Sequence, residues 1–223
     1  IGLLITVDEV DARFDEMLTL VADFQHFVRE KRNVALLMAA LPGKVLQMFN
    51  NDSVTFVRRS FQHRLDTIKR DDARLAIRKT IEASGRSIES DALEVAVERT
   101  GGFPFLVQLV GYHIWRQSSQ SKQISLEDAR RGIISAEEDM DRMILETTIK
   151  ELSDKDVAFL HAMAQDDAES RLGDVAKRLK ISSAAAGQYR LRLIRQGVIE
   201  EYGRGKVQFA LPLLRDYLRK TGA

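Results

Sequence analysis

Two short apolar runs flank an amphipathic stretch at the start of this sequence, and that pattern restricts the fold more than any other feature. Leu3-Leu4-Ile5-Thr6-Val7 is nearly unbroken and rich in branched residues, as suits a strand buried on both faces of a parallel sheet; it stops at Asp8-Glu9. From Arg13 to Lys31 the apolar residues Phe14, Met17, Leu18, Val21, Phe24, Phe27 and Val28 recur at steps of three and four, the period of a crossover helix with one buried stripe. Val34-Ala35-Leu36-Leu37-Met38 then repeats the strand pattern until Pro42-Gly43 breaks it. A helix around Lys44 to Phe49 follows, and Phe61 to Ile68 alternates imperfectly, as a third strand would. Strand, helix, strand, helix, strand predicts an α/β segment with a parallel sheet over residues 1–69. The chain opens at Ile1 directly on a strand, with neither cap nor turn before it, which reads as a cut rather than a natural beginning.

After Lys69 the periodicity becomes helical throughout, from Asp72 to Ala83, Asp91 to Thr100, Phe103 to Gln117 and Leu126 to about Glu151. Gly85 and Gly101-Gly102 sit where helix ends favour positive φ, and Ser90 and Ser125 stand as caps. Residues 70–152 are therefore expected to form an all-α domain. Ser153-Asp154-Lys155-Asp156 reads as a capping box and opens a last domain, 153–223. It holds a first helix carrying Val157, Phe159, Leu160 and Met163, a second from Leu172 to Leu179, and a third from Ser183 to Gln196 ended by Gly197. Val198 to Tyr202 and Val207 to Leu211 alternate around Gly203-Arg204-Gly205-Lys206, a hairpin with a glycine-bearing turn. Three helices and a hairpin predict a winged helix, in a chain that is mostly helical overall.

Composition removes several classes of function. The absence of cysteine excludes a disulfide framework and a thiolate zinc site, and the four histidines are scattered, so any metal is held by oxygen. No apolar run approaches the roughly twenty residues that span a bilayer. The first segment is too short and acid-terminated for a signal peptide, so the reading is a soluble, cytoplasmic protein with no membrane partner. Net charge is +1, but residues 153–223 carry 13 Lys and Arg against 9 Asp and Glu. The basic excess lies at the carboxy end.

In parallel α/β sheets ligands collect beyond the carboxyl ends of strands, where Asp8-Glu9 falls. One carboxylate there suits a hydrated Mg²⁺, and its neighbour suits orienting a water that attacks a phosphoryl group. A polar exit from a buried strand explains the same two acids equally well.

Read together with its neighbours, Leu4-Ile5-Thr6-Val7-Asp8-Glu9 resembles the Walker B strand of AAA+/STAND-type P-loop ATPases, of the archaeal-ATPase or origin-recognition-initiator kind. Val34 to Met38 with Ala39-Ala40-Leu41-Pro42 occupies the sensor-1 place, and Arg58-Arg59 also resembles the family pattern. Gly102-Phe103-Pro104 is the more specific match, since in STAND-type members a Gly-x-Pro opens a lid helix and its proline lies against the nucleotide base. A winged helix beyond the lid completes the order of segments from Walker B onward. The resemblance implies Glu9 as the catalytic residue orienting water, Asp8 as the Mg²⁺ ligand through water, and Pro104 as a nucleotide contact.

Two departures stand out. Ala39 and Ala40 offer no polar side chain at the sensor-1 place, and no Gly-x-x-x-x-Gly-Lys-Ser/Thr occurs anywhere in the sequence. ATP and Mg²⁺ are therefore expected in a parent protein, with none bound to this fragment and no hydrolysis by it. Trp115, Tyr112 and Phe105 are expected in the lid core and His113 at a polar surface or edge; Gln108 and Arg116 are candidates for reaching phosphate. The acidic run Glu137-Glu138-Asp139 with Asp141 reads as a solvated helix face.

In the winged helix, Tyr189 and Leu193 are expected inward. Ser183, Gln188, Arg190, Arg192 and Arg195 are candidates for a DNA-facing surface, with Arg204 and Lys206 on the wing over phosphate. The helix begins with the small residues Ala184-Ala185-Ala186, and related modules serve as packing surfaces, so double-stranded DNA and a protein partner stand as alternatives. Assembly with further copies is compatible with either. The favoured reading is an ATP-dependent switch. Its rival is a non-enzymatic DNA-binding or adaptor module whose nucleotide site has decayed.

Overall fold

The computed structural model describes residues 2–10, 15–40, 42–49, 51–63, 65–117 and 121–222. They fall into two compact units, one of residues 1–63 with 168–211 and the other of residues 64–167 with 212–223. No helix among them is long and apolar enough to cross a membrane.

The first unit begins with strand β1 (Leu3–Val7), helix α1 (Asp15–Arg29) and strand β2 (Val34–Met38). The strands pair in parallel from Leu3 opposite Val34 to Val7 opposite Met38, as the crossover pattern requires. The expected helix start at Arg13 and Phe14, with Leu41, lies outside the described residues. Helix α2 (Pro42–Phe49) and a 3-10 segment (Asp52–Arg59) follow. Val10, Val21, Met48, Val54 and Val57 form the core under one face of the sheet, with Val7, Met17, Leu18 and Met38 packed against it.

Two expectations fail here. The strands are covered on one face only: Leu4 and Leu37, on the other, are each 61% exposed, because no described element overlies them. The third strand over 61–68 is also absent among the described residues of that segment, which excludes Arg64; they lie in irregular backbone, with Phe61 and Leu65 almost fully exposed. Alternating side chains do not make a strand without a neighbour to complete the ladder.

The second unit is a helical stack of α3 (Arg70–Ala83), α4 (Ser90–Thr100), α5 (Pro104–Gln117) and α6 (Leu126–Met140). Two residues of β3 (Ser87–Ile88) pair in parallel with two of β4 (Gln123–Ile124). Ile77, Ile81, Leu93, Val97, Val110, Ile114 and Ala129 fill the core. Glu94 ties α4 to α3 by accepting from Arg74 and Arg70, which hold its carboxyl down to about 2. Glu89, not Ser90, is the N-cap of α4, whereas Ser125 caps α6 in a full capping box with Asp128.

The expected single helix from Leu126 to Glu151 is interrupted. After α6 a π turn (Asp141–Leu145) precedes α7 (Glu146–Lys150). Helix α8 (Asp154–Ala164) starts at Ser153, whose hydroxyl accepts from the Asp156 amide.

The chain then returns to the first unit with β5 (Ser170–Arg171), α9 (Leu172–Arg178), α10 (Ser183–Arg195), β6 (Ile199–Glu201) and β7 (Lys206–Phe209). The strands form an antiparallel sheet in the order β5-β7-β6, and the β6–β7 turn uses positive φ at Gly203 and Gly205. Leu193 is fully buried and Tyr189 half-buried, both inward as expected, and α10 also packs against α2. A last helix, α11 (Leu214–Thr221), closes the second unit; it has no side-chain N-cap and ends at Gly222, and the sequence reading did not place it.

Helices α5 and α6 approach closely. A Cβ added at Gly132 would lie 2.6 Å from Ile114 Cα and 2.7 Å from its amide nitrogen, so a side chain there forces the helices apart. Ordinarily Gly to Ala within a helix is favourable by about 1 kcal/mol. At Gly132 overpacking of about 1–3 kcal/mol outweighs it. Gly132→Ala is therefore expected to lower the melting temperature while Gly111→Ala, with nothing within 4 Å, leaves it equal or higher. Thermal unfolding followed by circular dichroism checks the opposite signs.

Candidate functional site

Strand β1 ends in a backbone arrangement that sets Asp8 and Glu9 beside Ala39. The Ala39 amide donates to Val7 O at 2.9 Å and the Val10 amide donates to Ala39 O at 3.0 Å, so the parallel pairing continues on both sides of the acids. Asp8 Oδ1 accepts from the Glu9 amide at 2.8 Å, which turns the chain, and Glu9 takes φ +55°, a left-handed conformation unfavourable for a side chain with Cβ. Both carboxylates are exposed.

Among the described residues no three His, Asp or Glu side chains converge in a way that could hold a metal ion by themselves. A single exposed carboxylate with one oxygen already engaged by an amide suits a Mg²⁺ that keeps most of its waters and takes phosphate oxygens as its other ligands. Asp8 fits that role. The methyl groups of Ala39 and Ala40 supply no hydrogen bond here. Arg58 donates its Nε to Phe49 O, and Arg59 is exposed.

The second feature is the start of α5. Ile68 donates its amide to Gly102 O at 2.7 Å, and a Cβ on Gly102, at φ +75°, would meet Ile68 O at 2.3 Å. Only glycine allows that approach. Buried Thr100 supports it: its hydroxyl donates to Val97 O at 2.7 Å and accepts from the Gly102 amide at 3.2 Å. Pro104 then occupies the first helical position, where its missing N–H costs nothing. It stands in the wall of a groove of about 590 Å³ between α3 and α5, with Ile68, Thr80, Gln108, Tyr112 and Trp115. The Trp115 indole donates to Ser84 Oγ at 3.0 Å, and Arg116 stacks over Tyr112 while donating to its hydroxyl at 3.2 Å.

The structure reverses two readings of α5. Phe105, Tyr112 and Trp115 are between 42% and 49% exposed, so they line the outer side of the helix rather than the core. His113 is the residue that turns inward, buried to 7% exposure and bonded through Nε2 to Asp139 at 2.9 Å. Asp139 also accepts from Arg142, and both partners hold its carboxyl below the usual carboxylate range, Arg142 first. The acidic run is thus an ion-paired face rather than a merely solvated one.

Third are the basic groups on α10 and the hairpin. Ser183, Gln188, Arg192, Arg195 and Arg204 are exposed. Arg192 lies 5.0 Å over the Tyr189 ring. Arg190 is ion-paired with Glu201, and its buried Nε has no hydrogen-bond partner. Lys206 donates to Glu169 at 2.8 Å and keeps that carboxyl low. The structure binds two of the candidate cations, Arg190 and Lys206, to acids of their own unit.

A family model described as a domain of unknown function, DUF8462, matches residues 142–218, about a third of the chain. No curated protein matches the sequence. Among solved structures, the chain is similar to the Walker-type ATPase PABY2304 of Pyrococcus abyssi, with a TM-score of 0.76 and 17% identity over 98% of this chain and 63% of that one. It is also similar to a single-residue variant of Thermotoga maritima RuvB, with a TM-score of 0.51 and 15% identity over 97% of this chain and 69% of that one. The chain thus spans less than two thirds of the archaeal ATPase. At these identities the likeness is one of fold: the chain has the architecture of part of a Walker-type ATPase.

Proposed function

We propose that this chain is the part of an ATP-dependent switch that runs from the Walker B strand (1–69) through a helical lid (70–152) to a winged helix (153–223). The observation that carries the reading is the pair Asp8-Glu9 at the carboxyl end of a parallel strand pair, bracketed by the two Ala39 hydrogen bonds, in a chain whose fold follows a Walker-type ATPase. Bound Mg²⁺ neutralises charge on the phosphate oxygens. Asp8 would hold that ion through water, and Glu9, exposed in its left-handed turn, would orient the attacking water. Pro104 offers a flat apolar face to the nucleotide base. The order α8, α9, α10 and the β6–β7 hairpin supports the winged helix.

Since no P-loop motif occurs in this sequence, the grip on the β- and γ-phosphates comes from residues outside it. Calorimetric titration of this chain with Mg-ATP is expected to show no micromolar binding. In a protein joining the chain to a P-loop segment, Glu9→Gln is expected to stop hydrolysis with nucleotide retained, and Asp8→Asn to lose Mg²⁺-dependent affinity as well. Unchanged turnover in the Glu9 variant would make the two acids a strand exit and leave the adaptor reading in its place.

The winged helix favours a protein partner over a DNA site, because Arg190 and Lys206 are already committed and α10 packs against α2. If the chain does meet duplex DNA, the exposed Arg192, Arg195 and Arg204 are its phosphate contacts. Three contacts at about −0.9 each give a log–log salt slope no steeper than about −3. Fluorescence anisotropy with a labelled duplex at several salt concentrations measures it; a steeper slope would show a DNA face that these residues do not account for.

A further inference from the structure

The last helix, α11, is bound to the middle of the second unit by a ring of charges centred on the π turn. Lys220 Nζ lies 3.5 Å from Glu137 Oε2 and 3.9 Å from Asp141 Oδ2. Glu137 is shared with Arg99 of α4, whose Nε reaches it at 2.5 Å, and Arg99 returns to α11 through Asp216 at 3.1 Å. On its other side α11 caps the end of α8. Arg219 donates to Ala164 O, the last carbonyl of α8, at 2.6 Å. Just beyond the helix it also reaches Asp166 O at 3.1 Å, and Arg215 donates to Asp167 O at 2.7 Å. Only Leu214 and Leu218 of the helix are buried, and it begins at Leu213 in a left-handed conformation with no side-chain cap.

Asp141 is the first residue of the π turn. Burial pushes its carboxyl up, and Glu137 and Glu146 push it further; Lys220 and Arg99 work in the opposite direction. Burial, then Glu146 and Asp141, push the Tyr217 hydroxyl up as well. The turn itself is an insertion into what is otherwise one helix from Leu126 to Lys150. Such insertions are unfavourable in isolation and recur at functional positions. The family model that matches this chain begins inside the turn, at residue 142, and ends in α11, at residue 218. The matched segment thus runs from the π turn to α11, while the paired residues Glu137, Asp141 and Lys220 lie just outside its ends.

We propose that α11 and the π turn form a coupled latch, in which the docked strap, through Lys220 on Asp141 and Glu137, holds residues 141–145 in the π register. Undocking lets the turn relax to α-helical geometry. Removing the insertion rotates everything beyond it by about 100°, the angle of one residue in a helix of 3.6 residues per turn. Helix α7 and the Ser153 cap of α8 follow directly, so strap and helix orientation change together. The proposal does not rest on nucleotide binding.

Amide hydrogen exchange on the full chain tests it, comparing Lys220→Glu with the parent sequence. The substitution sets a third acid against Glu137 and Asp141. Residues 214–221 and residues 141–150 are expected to lose protection together by about tenfold or more, while α4 and α5 keep theirs and the circular dichroism holds. Adding Asp141→Lys to Lys220→Glu restores an opposite pair and is expected to return protection to both segments. Raising salt is expected to act in the direction of Lys220→Glu. If α11 loosens while 141–150 stays protected, the π turn does not depend on the strap and the latch is wrong. If neither segment responds to Lys220→Glu, the charge ring does not hold α11. Failure of the double variant to recover, with its circular dichroism intact, overturns the assignment of Asp141 as the partner.

Discussion

Helices α5 and α6 meet so closely that position 132 has no room for a side chain, and the helical unit is arranged around that contact. With Gly132 against Ile114, the buried side of α5 is fixed: Val110 and Ile114 enter the core, and His113 turns in to reach Asp139. The opposite side must then face out, which is why Tyr112 and Trp115 stand in a groove wall. Gly102 extends the same logic to the start of the helix. Its carbonyl takes the Ile68 amide, its missing Cβ leaves space for Ile68 O, and Pro104 is set at the groove mouth as a result. A nucleotide contact at Pro104 would thus use a backbone geometry the unit already needs for its own packing.

The strand pair of the first unit is under a different constraint. A parallel sheet is stable when both faces are covered, because each uncovered branched or leucine side chain forgoes about 1.5–3 kcal/mol of burial. Leu4 and Leu37, on the uncovered face, are each 61% exposed. The left-handed Glu9 lies at the carboxyl end of β1, so the exposed leucines and the exposed pair of acids belong to the same strand pair.

How much of this was legible in the sequence depends on whether the controlling interaction is local. The Ser125 and Ser153 caps, the left-handed Gly101-Gly102 and the glycine turn at 203–205 follow from neighbouring residues, and each is present. Helix α1 and the β1–β2 pair carry their periods within one window. The failures involve partners distant in sequence. The described residues of 61–68 alternate like a strand but join no strand ladder, whereas Ser170-Arg171, too short to show a pattern, pairs with β7. The inward side of α5 could not be chosen from its own apolar residues, because they occur all round the helix; Gly132, on another helix, makes the choice. No glycine or proline marks the π turn, whose contacts come from α11, some seventy residues away. For the candidate site, Asp8, Glu9 and Pro104 were visible as motif residues, but the structural need for Gly102 appears only with the Ile68 carbonyl beside it.

Charge shows the same limit of counting. The carboxy-terminal third has an excess of four basic residues, which as a total points to an anionic partner. At least six of its thirteen cations are engaged within the fold. Arg190 faces Glu201, Lys206 faces Glu169, Lys177 faces Asp174, Arg215 and Arg219 cap α8, and Lys220 joins the acids at the π turn. Partly exposed pairs of this kind contribute only about 0–1 kcal/mol each, so they are not what makes the fold stable. Their effect is on specificity: each one fixes which surface an element presents and withdraws a charge from any ligand. A phosphate approaching α10 would have to displace Glu201 to engage Arg190, losing one ion pair to gain another. Arg192, Arg195 and Arg204 stay exposed on α10 and the β6–β7 turn, so a count of basic residues overstates the charge that this surface presents.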